Sequence, residues 1–148
     1  MFKLFPLKGG LENVQGFFCG ATNVGMRTKP SGTNEVEIAG DVAFIRSATP
    51  CDIAAVFTTN VFRAAPLRHF QKYPKDFQTD FVLINAKNAN AMTGEKGIED
   101  IDTLFTSLAK KINVLNPVMS STGVIGYRLP IDKITSAFET LDFNAKNS

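Results

Sequence analysis

Cysteine and histidine are scarce in this sequence, which limits the kinds of site it can build. The two cysteines, Cys19 and Cys51, lie in separate predicted strands and give neither a disulfide framework nor a metal-binding spacing. We interpret both as reduced core residues, as is usual in a cytoplasmic protein. His69 is the single histidine, so this chain cannot assemble a Cys/His zinc site. His69 has no serine or cysteine at a catalytic spacing, and we expect it to be at the surface or half-buried.

Long apolar runs and blocks of like charge are also missing. Lys, Asp, Asn or Gly interrupts every apolar stretch, so no segment predicts a membrane-spanning helix. Residues 1–10 have a short apolar run interleaved with lysines and no small-residue cleavage site, which is not the pattern of a signal peptide. The 16 basic and 14 acidic residues are well mixed, with a net charge of +2. We therefore expect no membrane and no nucleic-acid partner, and a cytoplasmic location.

The first half of the chain reads as antiparallel strands. With 148 residues, 44% of them hydrophobic, the chain can bury one sizeable core, so we predict a single domain over residues 1–148. Residues 14–26 mix strand formers with glycines and suit a bent strand or two short ones. Residues 28–40 have the composition of an exposed turn or hairpin tip. The apolar runs 41–48 and 53–59, separated by Thr-Pro-Cys-Asp, predict a hairpin.

The second half alternates strands and helices. Residues 62–73 are compatible with a helix that has Pro66 near its start, or with a loop. Residues 81–85 predict a buried strand that runs into a polar loop. Helical periodicity extends over 98–112 and is stopped by Pro117, a short extended piece covers 118–121, and Pro130 opens a further helix. The order strand, helix, strand, helix predicts an α/β fold, a mixed-sheet sandwich.

Three segments carry a resemblance to a known family. Positions 120–126 read Ser-Ser-Thr-Gly-Val-Ile-Gly and are similar to the STGVIG motif of ornithine acetyltransferases. Positions 85–94 read NAKNANAMTG and resemble that family's NSGNANACTG segment, with Ala86, Lys87 and Met92 in place of Ser, Gly and Cys. Positions 55–60, AVFTTN, followed by Ala-Ala-Pro at 64–66, form the third segment. The chain therefore resembles the bifunctional glutamate N-acetyltransferase/ornithine acetyltransferase family from about residue 16 to about residue 134.

The resemblance implies an ornithine acetyltransferase/DmpA-like fold and an incomplete enzyme. Family members are made as one precursor that cuts itself before a threonine, and this chain resembles the N-terminal (alpha-chain) portion, ending before that site. The implied reaction passes acetyl from N-acetylornithine to glutamate in arginine biosynthesis, through an acetyl-threonine on the C-terminal (beta) chain, and some members also use acetyl-CoA. The family implies a heterotetramer of two alpha and two beta chains, and no metal or organic cofactor. On this interpretation the chain alone is inactive.

Thr122 and Gly123 are the predicted site residues. In acyl transfer the carbonyl oxygen becomes an oxyanion, and two preorganised donors near that oxygen lower the barrier by several kcal/mol, about 3 for a single donor. Thr122 offers a hydroxyl, and Gly123 offers a backbone N–H that no Cβ shields. The family resemblance assigns this pair to the oxyanion hole. A Thr-Gly pair outside such a motif would indicate only a strand-ending turn.

Other polar residues have open roles at this stage. Asn85, Asn88, Asn90 and Thr93 could hydrogen-bond their own loop or buttress the oxyanion turn, and the first interpretation is favoured. Ser120 and Ser121 lack the Gly-x-Ser-x-Gly context of a hydrolase nucleophile. Thr58 and Thr59 are interpreted as strand residues. The alternative functions are an aminopeptidase of the same fold with an N-terminal nucleophile, and a non-catalytic scaffold fragment.

Overall fold

A mixed four-stranded sheet is the centre of the computed structural model, which describes residues 5–6, 8–26 and 40–145. The strands are β1 (Phe17–Thr22), β2 (Val42–Asp52), β3 (Gln78–Asn85) and β4 (Val118–Ser121), in the spatial order β1-β2-β3-β4. The pairs β1/β2 and β2/β3 are antiparallel, and β3/β4 is parallel. A parallel neighbour needs a crossover connection, which the chain supplies as a helix between β3 and β4.

In the part of the chain that the structure describes, three α-helices accompany this sheet: α1 (Ala65–Phe70), α2 (Gly94–Leu108) and α3 (Ile131–Thr140), after a single-turn 3-10 helix at Leu11–Asn13. Apolar side chains recur at helical spacing on α2 and α3, and those buried with the sheet include Ile101, Leu104 and Ile134. They join one face of the strands, contributed by Val42, Phe44, Phe81, Leu83 and Met119. The core is therefore a helix layer on a sheet, as the α/β prediction requires.

The helix and strand predictions of the second half are confirmed, with shifted ends. β4 has the predicted bounds, β3 begins three residues earlier than predicted, and α1 takes the helical alternative with Pro66 in its first turn. α2 ends at Leu108, before Ile112, although Ile112 N still donates to Leu108 O at 3.0 Å. Pro130 lies at the N-cap of α3 rather than inside its first turn.

The predicted hairpin of residues 41–48 and 53–59 is wrong. β2 is one strand that continues through Pro50 to Asp52, and its later part pairs with β3 through Cys51↔Thr79 and Asp52↔Gln78. The register shifts between Arg46 and Cys51, and a proline is tolerated where a ladder is interrupted in this way. Residues 53–59 form no strand, so Thr58 and Thr59 are exposed loop residues rather than sheet residues.

Two residue-level expectations also need correction. Cys19 and Cys51 are free thiols on β1 and β2, but both are only half-buried and neither belongs to the core. His69 is buried, with 6% of its surface exposed, rather than half-buried. The predicted turn at 28–40 lies outside the described residues except for Gly40. No helix in the described part of the chain is long and apolar enough to cross a membrane.

Candidate functional site

The predicted pair, Thr122 and Gly123, directly follows β4. We call residues 122–128, which begin with this pair, the turn. Thr122 N donates to Asn85 O at 3.0 Å, and this hydrogen bond attaches the turn to the end of the neighbouring parallel strand β3. Both Thr122 and Gly123 are exposed. The carboxyl ends of β3 and β4 therefore meet at one edge of the sheet, and the predicted oxyanion donors lie at that edge.

Gly123 is required by both its backbone angle and its surroundings. Its φ is +133°, a conformation that side-chain-bearing residues rarely adopt. A Cβ placed there would lie 2.2 Å from Lys87 C and 2.4 Å from Asn88 N. The turn thus rests directly on the peptide that joins Lys87 and Asn88, and only glycine permits this approach.

The two predicted donors have no competing partner in the described part of the chain. Among residues 5–6, 8–26 and 40–145, neither Thr122 Oγ1 nor Gly123 N makes a hydrogen bond. The neighbouring amides are engaged: Val124 N donates to Lys87 O at 3.3 Å, and Thr122 N to Asn85 O. A hydroxyl and an amide at adjacent positions are therefore available to a carbonyl oxygen that approaches this edge.

Residues 86–93 form a strained loop that supports the turn. Lys87, Asn90 and Met92 have positive φ angles of 71°, 46° and 60°. Such conformations cost of the order of 1–3 kcal/mol each in the least populated regions and persist where surrounding contacts impose them. The contacts are backbone hydrogen bonds to the turn, from Ala89 N to Val124 O at 2.9 Å and from Gly126 N to Ala91 O at 2.9 Å.

The polar side chains of this loop divide between its own backbone and the turn. Asn85 Nδ2 donates to Asn88 O at 2.7 Å, and Thr93 Oγ1 donates to Asn90 Oδ1 at 2.8 Å, which are contacts within the loop. Asn88 Nδ2 instead donates to the carbonyls of Tyr127 and Arg128, at 3.3 and 2.9 Å. The favoured interpretation of a self-bonding loop thus describes Asn85 and Thr93, whereas Asn88 also buttresses the turn.

Two buried carboxylates near the turn were not singled out from the sequence. Asp41, 1% exposed, accepts hydrogen bonds from Val24 N and Met26 N at 2.8 Å each, and Lys87 Nζ lies 3.7 Å from it. Asp100, 5% exposed, binds Arg128, and this hydrogen bond raises the pKa of the guanidinium. Their partners are distant in sequence, so no local pattern could have indicated either pair.

An open cavity of about 370 Å³ lies beside residues 124–130, and neither Thr122 nor Gly123 lines it. Its lining combines polar and apolar side chains, those of Met26, Lys87, Asn88, Val124, Tyr127, Arg128 and Pro130. This volume is at the lower end of the range of small-molecule sites. The cations that line the cavity are the same ones that neutralise Asp41 and Asp100, so the wall carries little net charge.

Of the weaker candidates, Ser121 lies at this edge as the last residue of β4, whereas His69 lies on α1. His69 Nε2 lies 3.0 Å from Asp102 Oδ1, and burial, opposed by that hydrogen bond, lowers the pKa of His69. Ser121 Oγ is buried without a hydrogen-bond partner in the described residues, and no base accompanies it. No group of three or more His, Cys, Asp or Glu in residues 5–6, 8–26 and 40–145 could hold a metal ion.

Several known proteins similar to this chain are named ArgJ. The model of the ArgJ family matches residues 22–147. The arginine biosynthesis bifunctional protein ArgJ of Wolinella succinogenes is 49% identical over 138 residues, covering 93% of this chain and 33% of that protein. The mitochondrial ArgJ protein of Neosartorya fischeri is 41% identical over 151 residues, covering 96% of this chain and 30% of that protein.

Two solved structures resemble the fold described above. The crystal structure of arginine biosynthesis bifunctional protein ArgJ from Bacillus halodurans has a TM-score of 0.75 at 29% identity, covering 90% of this chain and 67% of that one. Ornithine acetyltransferase of Mycobacterium tuberculosis, crystallised with ornithine, has a TM-score of 0.70 at 28% identity, covering 89% and 68%. This chain thus spans about a third of the length of the curated relatives but about two thirds of the crystallised chains.

Proposed function

Because this chain belongs to the ArgJ family, we propose that it is the N-terminal (alpha-chain) part of an acetyltransferase of arginine biosynthesis. The proposed reaction transfers acetyl from N-acetylornithine to glutamate, and acetyl-CoA is a further donor accepted by some family members. The observation that carries the proposal is the pair of unengaged donors, Thr122 Oγ1 and Gly123 N, presented at the carboxyl edge of the parallel strands.

The proposed chemistry is a two-step transfer through a covalent intermediate. A threonine on the C-terminal chain attacks the acetyl carbonyl, and the free amine of that threonine accepts the hydroxyl proton. The C–N bond of N-acetylornithine then breaks, ornithine leaves with a proton, and acetyl-threonine remains. The amine of glutamate attacks this ester, and N-acetylglutamate leaves as the threonine hydroxyl is restored.

Thr122 and Gly123 act at the same point in both steps. Each attack converts a planar carbonyl into a tetrahedral oxyanion, and the two donors bind that oxygen as its charge develops. Donors of this kind assist only when they need no reorganisation at the moment of reaction. The turn satisfies this condition, since hydrogen bonds to Asn85, Lys87 and Ala91 hold it from one side.

The proposed partner is the C-terminal chain that carries the threonine. The crystallised ArgJ chains are about half as long as the curated full-length relatives, judged from the share of each that this chain covers. A precursor cut near its middle accounts for that difference, and supports assembly from two kinds of chain. The proposed assembly is a heterotetramer of two alpha and two beta chains in the cytoplasm, with no metal or organic cofactor.

One assay separates transfer from the two alternative functions. The full-length polypeptide that contains this segment is incubated with N-acetylornithine, with and without glutamate, and ornithine release is measured. Release that requires glutamate supports transfer. Release without glutamate supports an aminopeptidase-like hydrolase of the same fold, and no release supports a non-catalytic scaffold.

Replacing Thr122 by valine tests the oxyanion assignment. Valine keeps the branched shape but removes the hydroxyl, and loss of one such donor lowers kcat by about 10²–10³-fold in enzymes of this type. We expect the Thr122→Val enzyme to lose turnover by about a hundredfold or more while self-cleavage and assembly, followed by electrophoresis and size exclusion, are largely intact. Unchanged turnover would refute the role of Thr122.

A further inference from the structure

We propose that Asn88 is a positioning residue that fixes the Gly123 amide in the oxyanion hole. The proposal rests on the function proposed above and assigns a role that neither the motif nor the comparisons give to this side chain. Asn88 does not touch the reacting atoms on this account. It acts through the turn that carries Thr122 and Gly123.

Asn88 lies opposite Gly123 in the structure. Isolated β-bridges join Asn88 to Thr122 on one side of Gly123 and to Val124 on the other. The backbone nitrogen of Asn88 is 2.4 Å from the place where a Gly123 Cβ would be. The Cα of Gly123 therefore faces the peptide that joins Lys87 and Asn88, and any shift of Asn88 moves the surface on which Gly123 rests.

The Asn88 side chain holds that peptide in place from both ends. Its Nδ2 donates to Tyr127 O and Arg128 O, which closes residues 122–128 over the loop. Its Oδ1 accepts from Asn90 N at 2.8 Å, and the main-chain carbonyl of Asn88 accepts from Asn85 Nδ2 at 2.7 Å. The residue is 8% exposed, so water cannot readily replace these bonds. Both the donor and the acceptor of the Asn88 amide are used, and they lie on two separate atoms, whereas a hydroxyl donates and accepts through one.

Asn90 provides a matched comparison two residues away. It is 0% exposed, and its Nδ2 also donates to a backbone carbonyl, that of Gly97 in α2, at 2.9 Å. Its Oδ1 accepts from Thr93 Oγ1 at 2.8 Å. Asn90 therefore ties the loop to the first turns of α2, whereas Asn88 ties it to the oxyanion turn. The same substitution at the two positions gives the same chemical change with different structural targets.

The test compares Asn88→Asp with Asn90→Asp in the full-length, self-processed enzyme. Each change turns a buried N–H donor into a carboxylate oxygen that faces carbonyl oxygens, and we expect both to lower the melting temperature. Only Asn88→Asp should lower kcat, by about tenfold or more, since small misplacement of a catalytic group has effects of about a hundredfold. KM should change by less than about threefold, because the oxyanion interaction strengthens only in the transition state.

The pH profile gives a second readout. A carboxyl buried against carbonyls has a raised pKa, and its protonated form regains one donor. Lys87 and Arg128 line the same cavity and oppose this rise, but they are paired with Asp41 and Asp100. The kcat of Asn88→Asp relative to wild type should therefore rise as the pH is lowered from about 8 to about 6. The kcat of Asn90→Asp relative to wild type should not change with pH over this range, because its carboxyl does not contact the turn.

Several outcomes would overturn the proposal. Equal losses of kcat in the two variants would show that general destabilisation, not the turn, is responsible. An unchanged kcat in Asn88→Asp, or an effect seen only as a higher KM, would also contradict it.

If either aspartate variant fails to fold, Asn88→Ser and Asn90→Ser replace them, since serine is too short to reach the same carbonyls and adds no charge. Thr122→Val run in parallel separates the hypotheses: if it is fully active, the oxyanion assignment fails, whereas if it is impaired and Asn88→Asp is not, the role of Asn88 alone fails.

Discussion

At the scale of single residues, Gly123 has the strictest requirement in the site. A methyl group there would overlap Lys87 C at 2.2 Å, a backbone atom that cannot rotate away, and the φ of +133° disfavours any side chain. We expect Gly123→Ala to lower the stability of the full-length enzyme by more than the roughly 1–3 kcal/mol typical of strained backbone alone, and to abolish turnover because the turn must move. Urea unfolding and steady-state kinetics measure the two effects.

Gly126 supplies the control for Gly123. Its φ is +88°, but no atom lies within 4 Å of the position that a Cβ would take. Gly126→Ala should therefore show only the backbone component of the destabilisation and should keep most of its turnover. Equal effects of the two substitutions on stability and turnover would contradict the close approach of Gly123 to the loop.

The buried His69 should make stability depend on pH. Burial lowers the pKa of His69 below its usual value of 6.5, against the opposing hydrogen bond and charge of Asp102 and with a smaller contribution from Lys72. The unfolded chain therefore binds the proton first as the pH falls. This contribution to stability is complete above about pH 6.5 and is lost as the pH falls through the lower pKa of the folded state.

His69→Gln isolates that contribution, since glutamine can still donate to Asp102 but does not titrate. We expect the free energy of unfolding of the wild-type protein to decrease more than that of the variant between about pH 7.5 and about pH 5.5. Chemical denaturation at the two pH values measures both. A parallel decrease in wild type and variant would show that His69 binds protons equally well in the folded and unfolded states.

The positions of candidate site residues were predictable only where the chain itself places the groups side by side. Thr122 and Gly123 are adjacent in sequence and follow a short strand, so their motif and exposure could be anticipated together. Asn88 could be recognised as a loop residue but not as the partner of Tyr127 and Arg128, which are 39 and 40 positions away. These contacts follow from strand pairing, which brings the segments after β3 and β4 together.

At the scale of elements, periodicity predicted those segments whose structure is set by local sequence. α2 carries apolar residues at three- and four-residue intervals, and its buried positions include Ile98, Ile101, Leu104 and Leu108, so its pattern alone identifies it. β4 is bounded by Pro117 and by the Thr-Gly turn, which fixes both ends. These two elements, with β3, position the candidate site.

β2 was mispredicted because its continuity depends on neighbours. Thr49, Pro50, Cys51 and Asp52 have the composition of a turn, yet β3 pairs with the strand on both sides of the irregularity. Cys51 and Asp52 face Thr79 and Gln78, which are more than 25 positions away in the chain. Local turn preference is thus overridden by non-local pairing, and no pattern within residues 41–59 reveals that partner.

At the scale of the whole molecule, the sheet has two unequal faces. The helices and Phe143 cover the face that carries Phe44 and Phe81. Side chains on the opposite face, which by register include those of Cys19, Ile45, Val82 and Ile84, are only half-buried in the described structure. Val56, Val61 and Phe62 are exposed by 98%, 85% and 73%. Exposed apolar surface is one mark of an interaction site, in keeping with the proposed C-terminal partner chain.

The proposal that this chain supplies the oxyanion donors and the C-terminal chain supplies the nucleophile predicts that the 148-residue chain alone is inactive. Oxyanion donors lower the barrier only after a nucleophile has attacked, and the hydroxyls near the turn have no base. Thr93 Oγ1 donates to Asn90, and Ser121 Oγ is buried with no partner among residues 5–6, 8–26 and 40–145. The amine of Lys87, which lies next to the turn, is directed to the buried Asp41. Each of these contacts opposes a role as the missing nucleophile or base.

We therefore expect no glutamate-dependent ornithine release from the isolated chain at any concentration of N-acetylornithine, and release when the chain is co-expressed with the remaining two thirds of a family member. Mass spectrometry of the products measures release, and far-ultraviolet circular dichroism with cooperative thermal unfolding establishes that the isolated chain is folded. Turnover by the folded chain alone, abolished by Thr122→Val, would place a nucleophile within these 148 residues and contradict the two-chain site. If the chain is inactive even when co-expressed with the C-terminal part, the result supports the scaffold alternative. The threonine nucleophile would then be present beside Thr122 and Gly123, and still no acetyl transfer would occur.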